Sequence, residues 1–101
     1  MKKSETANKK AHKVLIFGAG KAGIAACRAM AIDTDNPVEV VGFIDDAPEK
    51  YGKRLNGHKV LGNRYDIKAL AKLYKVNEII LALRDTYPGE LNRIISLCQD
   101  G

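Results

Sequence analysis

The feature that most constrains the fold of this chain is an uninterrupted apolar segment that leads directly into closely spaced glycines. Residues 14–17 have the sequence VLIF, and GAGKAG follows at 18–23. A segment that is polar on neither face is typical of a strand buried on both sides, as in a parallel sheet covered by helices. Residues 21–31, KAGIAACRAMA, are rich in helix formers. The sequence therefore predicts a strand, a turn and a helix in immediate succession.

The glycine spacing within this unit predicts a nucleotide-binding turn. GxGxxG between a buried strand and a helix is the pattern of dinucleotide-binding Rossmann domains. The first glycine permits the tight turn, the second lets the backbone approach a diphosphate, and the third lets the helix pack on the strand. The N–H groups at the start of the helix favour an anion there. The cofactor-binding candidates in this turn are Gly18, Ala19, Gly20, Lys21, Ala22 and Gly23. The alternative is a turn that serves folding alone.

An acidic pair follows the second predicted strand, VEVVGFI at 38–44. A carboxylate at this place accepts hydrogen bonds from a ribose diol and repels a 2′-phosphate, which favours NAD over NADP. The uncertain strand end does not separate Asp45 from Asp46, so both are candidates, and the alternative is that they only cap the strand. Arg84 lies after the predicted strand EIILAL at 78–83, at the edge of the sheet where ligands bind. It is a further phosphate-binding candidate.

The remaining segments continue the alternation of strands and helices. They are predicted as a surface connection at 47–57, a loop at His58, a strand at 59–61, a helix capped by Asn63 and a last helix from Thr86. The order β-α-β-β-α-β-α predicts an α/β, Rossmann-like domain of three layers with a mostly parallel sheet. We expect this domain to span residues 13–101 and to be truncated at its C-terminus, because a complete doubly wound sheet needs further strands.

Charge and cysteine content narrow the class of partner. The formal charge is +5, and five lysines against one glutamate within residues 1–13 account for +4 of it. Residues 1–12 are therefore predicted to be a flexible, solvated basic arm, with contact to anionic lipid or weak contact to nucleic acid as alternatives. No aromatic residues lie among those lysines, so we predict no nucleic-acid partner.

Cys27 and Cys98 lack the spacing of a metal site, and we interpret them as core thiols in a reducing cytoplasm.

Signatures of catalysis are missing from the sequence. No tyrosine is followed by a lysine four positions later, and HExxH, P-loop and nucleophile-elbow patterns are also absent. We therefore predict no catalytic residue, no metal site and no complete catalytic machinery in this chain.

The combination of VLIFGAGKAG, VVGFIDD with Pro48, KVLGN and EIILAL resembles the nucleotide-binding domain of CapD-like polysaccharide biosynthesis proteins. These are bacterial nucleotide-sugar epimerases and dehydratases. The resemblance implies a Rossmann-like domain between membrane helices and a catalytic domain that handles a UDP-sugar. It implies that the domain lies in the cytoplasm, either in a cytoplasmic protein or as the cytoplasmic part of an inner-membrane protein. It assigns phosphate to Gly18, Gly20 and Gly23, and ribose to Asp45. The pair Arg84-Asp85 departs from the family's pattern.

These observations leave three hypotheses. The first is an NAD(H)-binding domain of a nucleotide-sugar epimerase or dehydratase. The second is a regulatory module that senses CoA or another nucleotide, because relatives of such domains are described as CoA-binding-like. The third is a structural domain that binds no ligand and forms a homodimer.

Overall fold

The computed structural model describes residues 12–32, 35 and 37–82. Within them, five strands and two α-helices are present, with short 3₁₀ turns at Pro48–Lys50 and Arg64–Asp66. In chain order these elements are β1 (His12–Phe17), α1 (Lys21–Ile32), β2 (Val38–Ile44), β3 (Arg54–Leu55), β4 (His58–Gly62), α2 (Ile67–Tyr74) and β5 (Glu78–Leu81). The predicted first helix, the strand at 38–44 and the strand at 59–61 are confirmed.

The strands form one sheet in the order β3-β4-β2-β1-β5. The pairs β1–β2, β1–β5 and β2–β4 are parallel, and β3 pairs antiparallel with β4. The predicted α/β fold with a mostly parallel sheet is therefore confirmed. Because β1 lies between β2 and β5, the carboxyl ends of three strands meet around the glycine turn.

Alternating side chains of β1 reach opposite faces of the sheet, which is why its sequence is apolar throughout. Val14 and Ile16 pack in the cluster that contains Cys27 of α1. Leu15 and Phe17 pack in a second cluster, which includes Ile67 of α2. The residues of β1 from Val14 to Phe17 are at most 2% exposed. The two helices thus cover opposite faces and give the three-layer arrangement.

The segment that leads into α2 begins at the cap the sequence predicts: Asn63 caps the 3₁₀ turn Arg64–Asp66, and α2 continues from this turn at Ile67. The Asn63 side chain accepts a hydrogen bond from the Tyr65 N–H at 2.9 Å, and Asp66 Oδ2 accepts one from the Asn63 N–H at 2.9 Å. This reciprocal pair is a capping box, which satisfies N–H groups that a helix start leaves without partners. The helix ends at Tyr74 and is followed by Lys75, whose left-handed backbone has a φ of 56°.

Sequence reasoning missed the hairpin of β3 and β4. It is closed by Asn56 and Gly57, whose φ values of 53° and 84° are those of a tight hairpin turn. The predicted surface connection at 47–57 did not include the strand β3, and the prediction of a loop at His58 was wrong, because Leu55 pairs with His58 across this turn. The short hairpin places an antiparallel edge strand beside β4.

At the other end of the described chain, His12 is the first residue of β1. Its Nε2 lies 2.8 Å from Glu78 Oε1, where β5 begins. Residues 1–11 of the predicted arm and the predicted last helix lie outside the described residues.

Candidate functional site

The turn between β1 and α1 contains contacts that only glycine allows. Gly18 has a φ of 120°, which side chains of L-residues rarely tolerate. A Cβ atom on Gly23 would lie 1.7 Å from the carbonyl oxygen of Gly18, so α1 packs directly on the turn. Gly20 differs, because a Cβ there would meet nothing nearer than Lys50 Nζ at 4.0 Å. The fold therefore requires Gly18 and Gly23, whereas the side of Gly20 faces open space.

Asp45 follows β2 and joins two segments of backbone through its carboxylate. Oδ2 accepts a hydrogen bond from the Ala19 N–H at 2.8 Å, and Oδ1 accepts one from the Ala47 N–H at 2.8 Å. The Asp45 side chain is 17% exposed. Each carboxylate oxygen has two lone pairs and retains capacity for a further donor. The carboxylate is thus fixed in orientation beside the glycine turn and still able to accept.

A cavity of about 250 Å³ opens at this junction. It lies at the carboxyl ends of the parallel strands, where open α/β sheets bind their ligands. The described residues that line it are Gly18, Gly20, Lys21, Ala22, Asp45, Lys50 and Ala82. The structure therefore brings most of the predicted glycine turn and one predicted acid into a single cavity. Ala19 contributes through its N–H to Asp45, and Gly23 through its packing, while Arg84 lies outside the described residues.

Lys50 is a lining residue that sequence reasoning did not select. Its Nζ lies 3.6 Å from Asp45 Oδ2, and its side chain is 36% exposed. The 3₁₀ turn that starts at Pro48 carries it there, with the Lys50 N–H donating to the Ala47 carbonyl at 3.0 Å. Proline favours the first position of a helical turn. The spacing of Pro48 after the acidic pair was therefore the available signal that the chain turns back toward Asp45.

Asp46 has a different role from its neighbour and does not line the cavity. Its Oδ1 accepts a hydrogen bond from the Arg64 N–H at 2.9 Å, and its Oδ2 accepts one from Arg64 Nε at 2.6 Å. The guanidinium carbon of Arg64 lies 5.9 Å from the centroid of the Phe17 ring. Asp46 thus holds the segment that leads into α2, and the structure separates the two acids that the sequence could not distinguish.

A second, more apolar cavity of about 430 Å³ includes residues of α1, β2 and the hairpin in its lining, among them Cys27 and Asn56. Cys27 is a free thiol and 4% exposed. Burial raises the pKa of the Cys27 thiol, and a hydrogen bond with Asn56 opposes that shift. The protonated, inert form is therefore favoured, as expected of a core thiol.

The described ranges contain neither a metal-binding cluster nor a membrane-spanning helix. No group of three or more His, Cys, Asp or Glu residues in 12–32, 35 and 37–82 is placed to hold a metal ion. No helix in the same ranges has the length and apolar character needed to cross a membrane.

A known family covers the same part of the chain. Residues 10–88 match the family model described as C2185-like, N-terminal. The chain belongs to this family. The matched range contains every strand and helix described above.

Among curated proteins, the chain is similar to the probable polysaccharide biosynthesis protein EpsC of Bacillus subtilis (strain 168). The two are 29% identical over 86 residues, which are 85% of this chain and 14% of that protein. The chain therefore spans only a small part of this relative's length.

Solved structures show the same fold. The UDP-D-quinovosamine 4-dehydrogenase from Vibrio fischeri superposes with a TM-score of 0.75 at 24% identity, over 89% of this chain and 72% of that chain. RSP, a Rex-family repressor, superposes in its complex with β-NADH with a TM-score of 0.69 at 17% identity, over 93% and 45%. Its complex with β-NAD⁺ and operator DNA gives 0.68 at 18%, over 86% and 40%. These matches establish a Rossmann-like fold.

Proposed function

We propose that this chain binds NAD(H) in the cavity between the glycine turn and Asp45, as the nucleotide-binding domain of a polysaccharide-biosynthesis protein. One observation carries the proposal. The Asp45 carboxylate is hydrogen-bonded to the Ala19 N–H of the glycine turn, so a ribose acceptor and a phosphate-binding turn are adjacent in one cavity.

The chemistry of the two sides of the cavity is complementary to a dinucleotide. The start of α1 offers N–H groups without intrahelical partners and the positive end of the helix dipole, which suit a diphosphate. Gly20 leaves space there for an anion to approach the backbone. Asp45 keeps lone pairs for the hydroxyls of a ribose.

The charge on Asp45 favours NAD(H) over NADP and CoA. Both of those ligands carry an extra phosphate on the adenosine ribose, which would meet a carboxylate that is 17% exposed. The RSP complex with β-NADH supports a nicotinamide dinucleotide as ligand of this fold.

The role in a larger protein is part of the proposal. Similarity to EpsC supports polysaccharide biosynthesis, and similarity to the UDP-D-quinovosamine 4-dehydrogenase supports a nucleotide-sugar context. We infer a CapD-like epimerase or dehydratase, in which a separate catalytic domain takes the UDP-sugar in the cytoplasm. The operator DNA in one RSP structure belongs to that repressor, and we propose no nucleic-acid partner for this chain.

A regulatory function is the second candidate, because RSP is a repressor and its NADH complex shares this fold. In that case the domain would report the NADH level to a partner domain without turnover. The two candidates share the binding site and differ in the response that ligand binding produces.

Calorimetric titration with NAD⁺, NADH, NADP⁺, CoA and UDP-N-acetylglucosamine tests the proposal. We expect saturable binding of both NAD forms and weaker binding of NADP⁺ and CoA. Tighter binding of CoA than of NAD(H) would favour the regulatory CoA hypothesis. Failure of both NAD forms to bind at millimolar concentration overturns the proposal.

A further inference from the structure

We propose that Lys50 is a phosphate-binding residue of this site, whose ammonium contacts the diphosphate of the bound dinucleotide. The inference rests on the proposed function and adds to it a residue from outside the glycine turn and α1, carried by the 3₁₀ turn at Pro48–Lys50. Its basis is the position of Lys50 between Asp45 and Gly20.

The Lys50 ammonium lies at the junction of the two proposed subsites. It is 3.6 Å from Asp45 Oδ2 on one side. On the other side it is 4.0 Å from the position where a Cβ of Gly20 would lie. Since a diphosphate passes closest to the backbone at the second glycine of the turn, this ammonium borders its path.

The pairing of Lys50 with Asp45 is too loose to occupy the ammonium fully. Charge-assisted N–H···O bonds are usually about 2.7–2.9 Å long, and this contact is longer at 3.6 Å. Partly exposed ion pairs of this kind contribute little stability. A lysine side chain also carries three donors on a flexible stem. The Lys50 ammonium can therefore rotate toward a bound anion without breaking a strong hydrogen bond.

Binding of a dinucleotide would favour movement of the Lys50 ammonium away from Asp45 and toward the phosphates. Ribose hydroxyls would take the free lone pairs of Asp45, and the diphosphate would bring two negative charges next to Gly20. Among the described residues that line the cavity, Lys21 and Lys50 are cationic and Asp45 is anionic. Without Lys50 the net charge of these lining residues falls from +1 to zero, so they no longer offset any part of the two negative charges of the diphosphate.

The test compares Lys50→Met with Lys50→Arg and with Lys53→Met. Lys53 is an exposed lysine three residues away that does not line the cavity, so its change alters the net charge equally. Probes are ADP, NAD⁺, NADP⁺ and adenosine, titrated against the whole chain, with thermal unfolding as the check on folding. For Lys50→Met we expect affinity for ADP and NAD⁺ to fall about five- to twenty-fold, with adenosine binding unchanged. Lys50→Arg should restore most of the affinity, and Lys53→Met should retain it.

The remaining outcomes distinguish failure of the Lys50 inference from failure of the proposed function. If wild-type chain binds ADP and Lys50→Met binds it equally well, the inference fails and the proposed function stands. If only NADP⁺ binding is weakened, Lys50 faces a 2′-phosphate and the diphosphate assignment is wrong. If ADP binds with the expected Lys50 dependence and NAD⁺ does not bind, the choice of dinucleotide fails alone. If neither binds, both are overturned.

Discussion

Asp45 Oδ2 accepts a hydrogen bond from the backbone N–H of Ala19 at 2.8 Å and so ties the end of β2 to the turn that follows β1. The same carboxylate is the proposed ribose acceptor. One side chain therefore joins two parts of the fold and is also proposed to bind the ligand, so experiments on it have to measure stability and affinity separately.

Replacement of Asp45 should lower stability in proportion to the acceptors removed. Asp45→Ala leaves the N–H groups of Ala19 and Ala47 without their acceptor, and we expect the free energy of unfolding to fall by about 1–3 kcal/mol. Asp45→Asn keeps one acceptor oxygen and should lose less. Urea denaturation measures both. An Asp45→Ala variant as stable as wild type would show that these two bonds contribute no net stability.

Alanine at the second glycine of the turn should weaken ligand binding, whereas alanine at the third should lower stability. Gly20→Ala places a methyl group in the cavity without a clash, so we expect wild-type stability and weaker binding of NAD⁺. Gly23→Ala drives a Cβ to 1.7 Å from the Gly18 carbonyl oxygen and should cost about 3 kcal/mol or more. Thermal unfolding together with NAD⁺ titration distinguishes the two. Equal loss of stability in both variants would contradict the assignment of Gly20 to the ligand.

Loss of the Asp46 carboxylate should affect folding and spare the ligand. Asp46→Ala removes the acceptor of the Arg64 backbone and guanidinium groups, and we expect about 1 kcal/mol lower stability. Affinity for NAD⁺ should stay within about two-fold of wild type. Asp45→Ala is the matched comparison, since it removes the adjacent carboxylate. A large loss of NAD⁺ affinity in Asp46→Ala would move the ribose contact to Asp46.

Cys27 should resist alkylation at neutral pH, because burial raises the pKa of its thiol and excludes the reagent. Iodoacetamide treatment with peptide mass spectrometry measures this residue separately from Cys98. The same chain in concentrated urea is the control and should react readily. Fast modification of folded chain at neutral pH would show that the thiol is accessible.

The same pKa shift predicts a pH dependence of stability. A thiol whose pKa is higher in the folded state than in the unfolded state contributes its full stability below the unfolded value. That contribution is lost as the pH rises through the raised pKa. We therefore expect the urea midpoint to fall in the alkaline range, and a Cys27→Ala variant to show a smaller fall.

Local sequence patterns predicted the strands that supply most of the core residues. β1 and β2 are mostly apolar segments, followed directly by Gly18 and by Asp45, and the Asn63 capping box marked the start of the segment that leads into α2. The hairpin was missed because β3 is only Arg54–Leu55, too short for a hydrophobic period. The Asn56-Gly57 dipeptide was its signal, since both positions require positive φ.

The parts of the site that are formed by the backbone could be predicted from the sequence. The parts that depend on the direction of a side chain could not. The glycine spacing located the turn, and the end of β2 located an acid. Only the structure shows that Asp45 faces the cavity while Asp46 bonds Arg64. Lys50 was missed because its position depends on a 3₁₀ turn that folds back on the acid, a tertiary relationship with no period in the sequence.

Gly23 packs so closely on the Gly18 carbonyl that no side chain fits between them, and this packing holds the first turn of α1 against the end of β1. The entropy of ordering these amides is therefore lost during folding and does not recur when an anion arrives. We expect the backbone of this site to keep its conformation when a ligand binds. The long side chains of Lys21 and Lys50 would then adjust to different ligands.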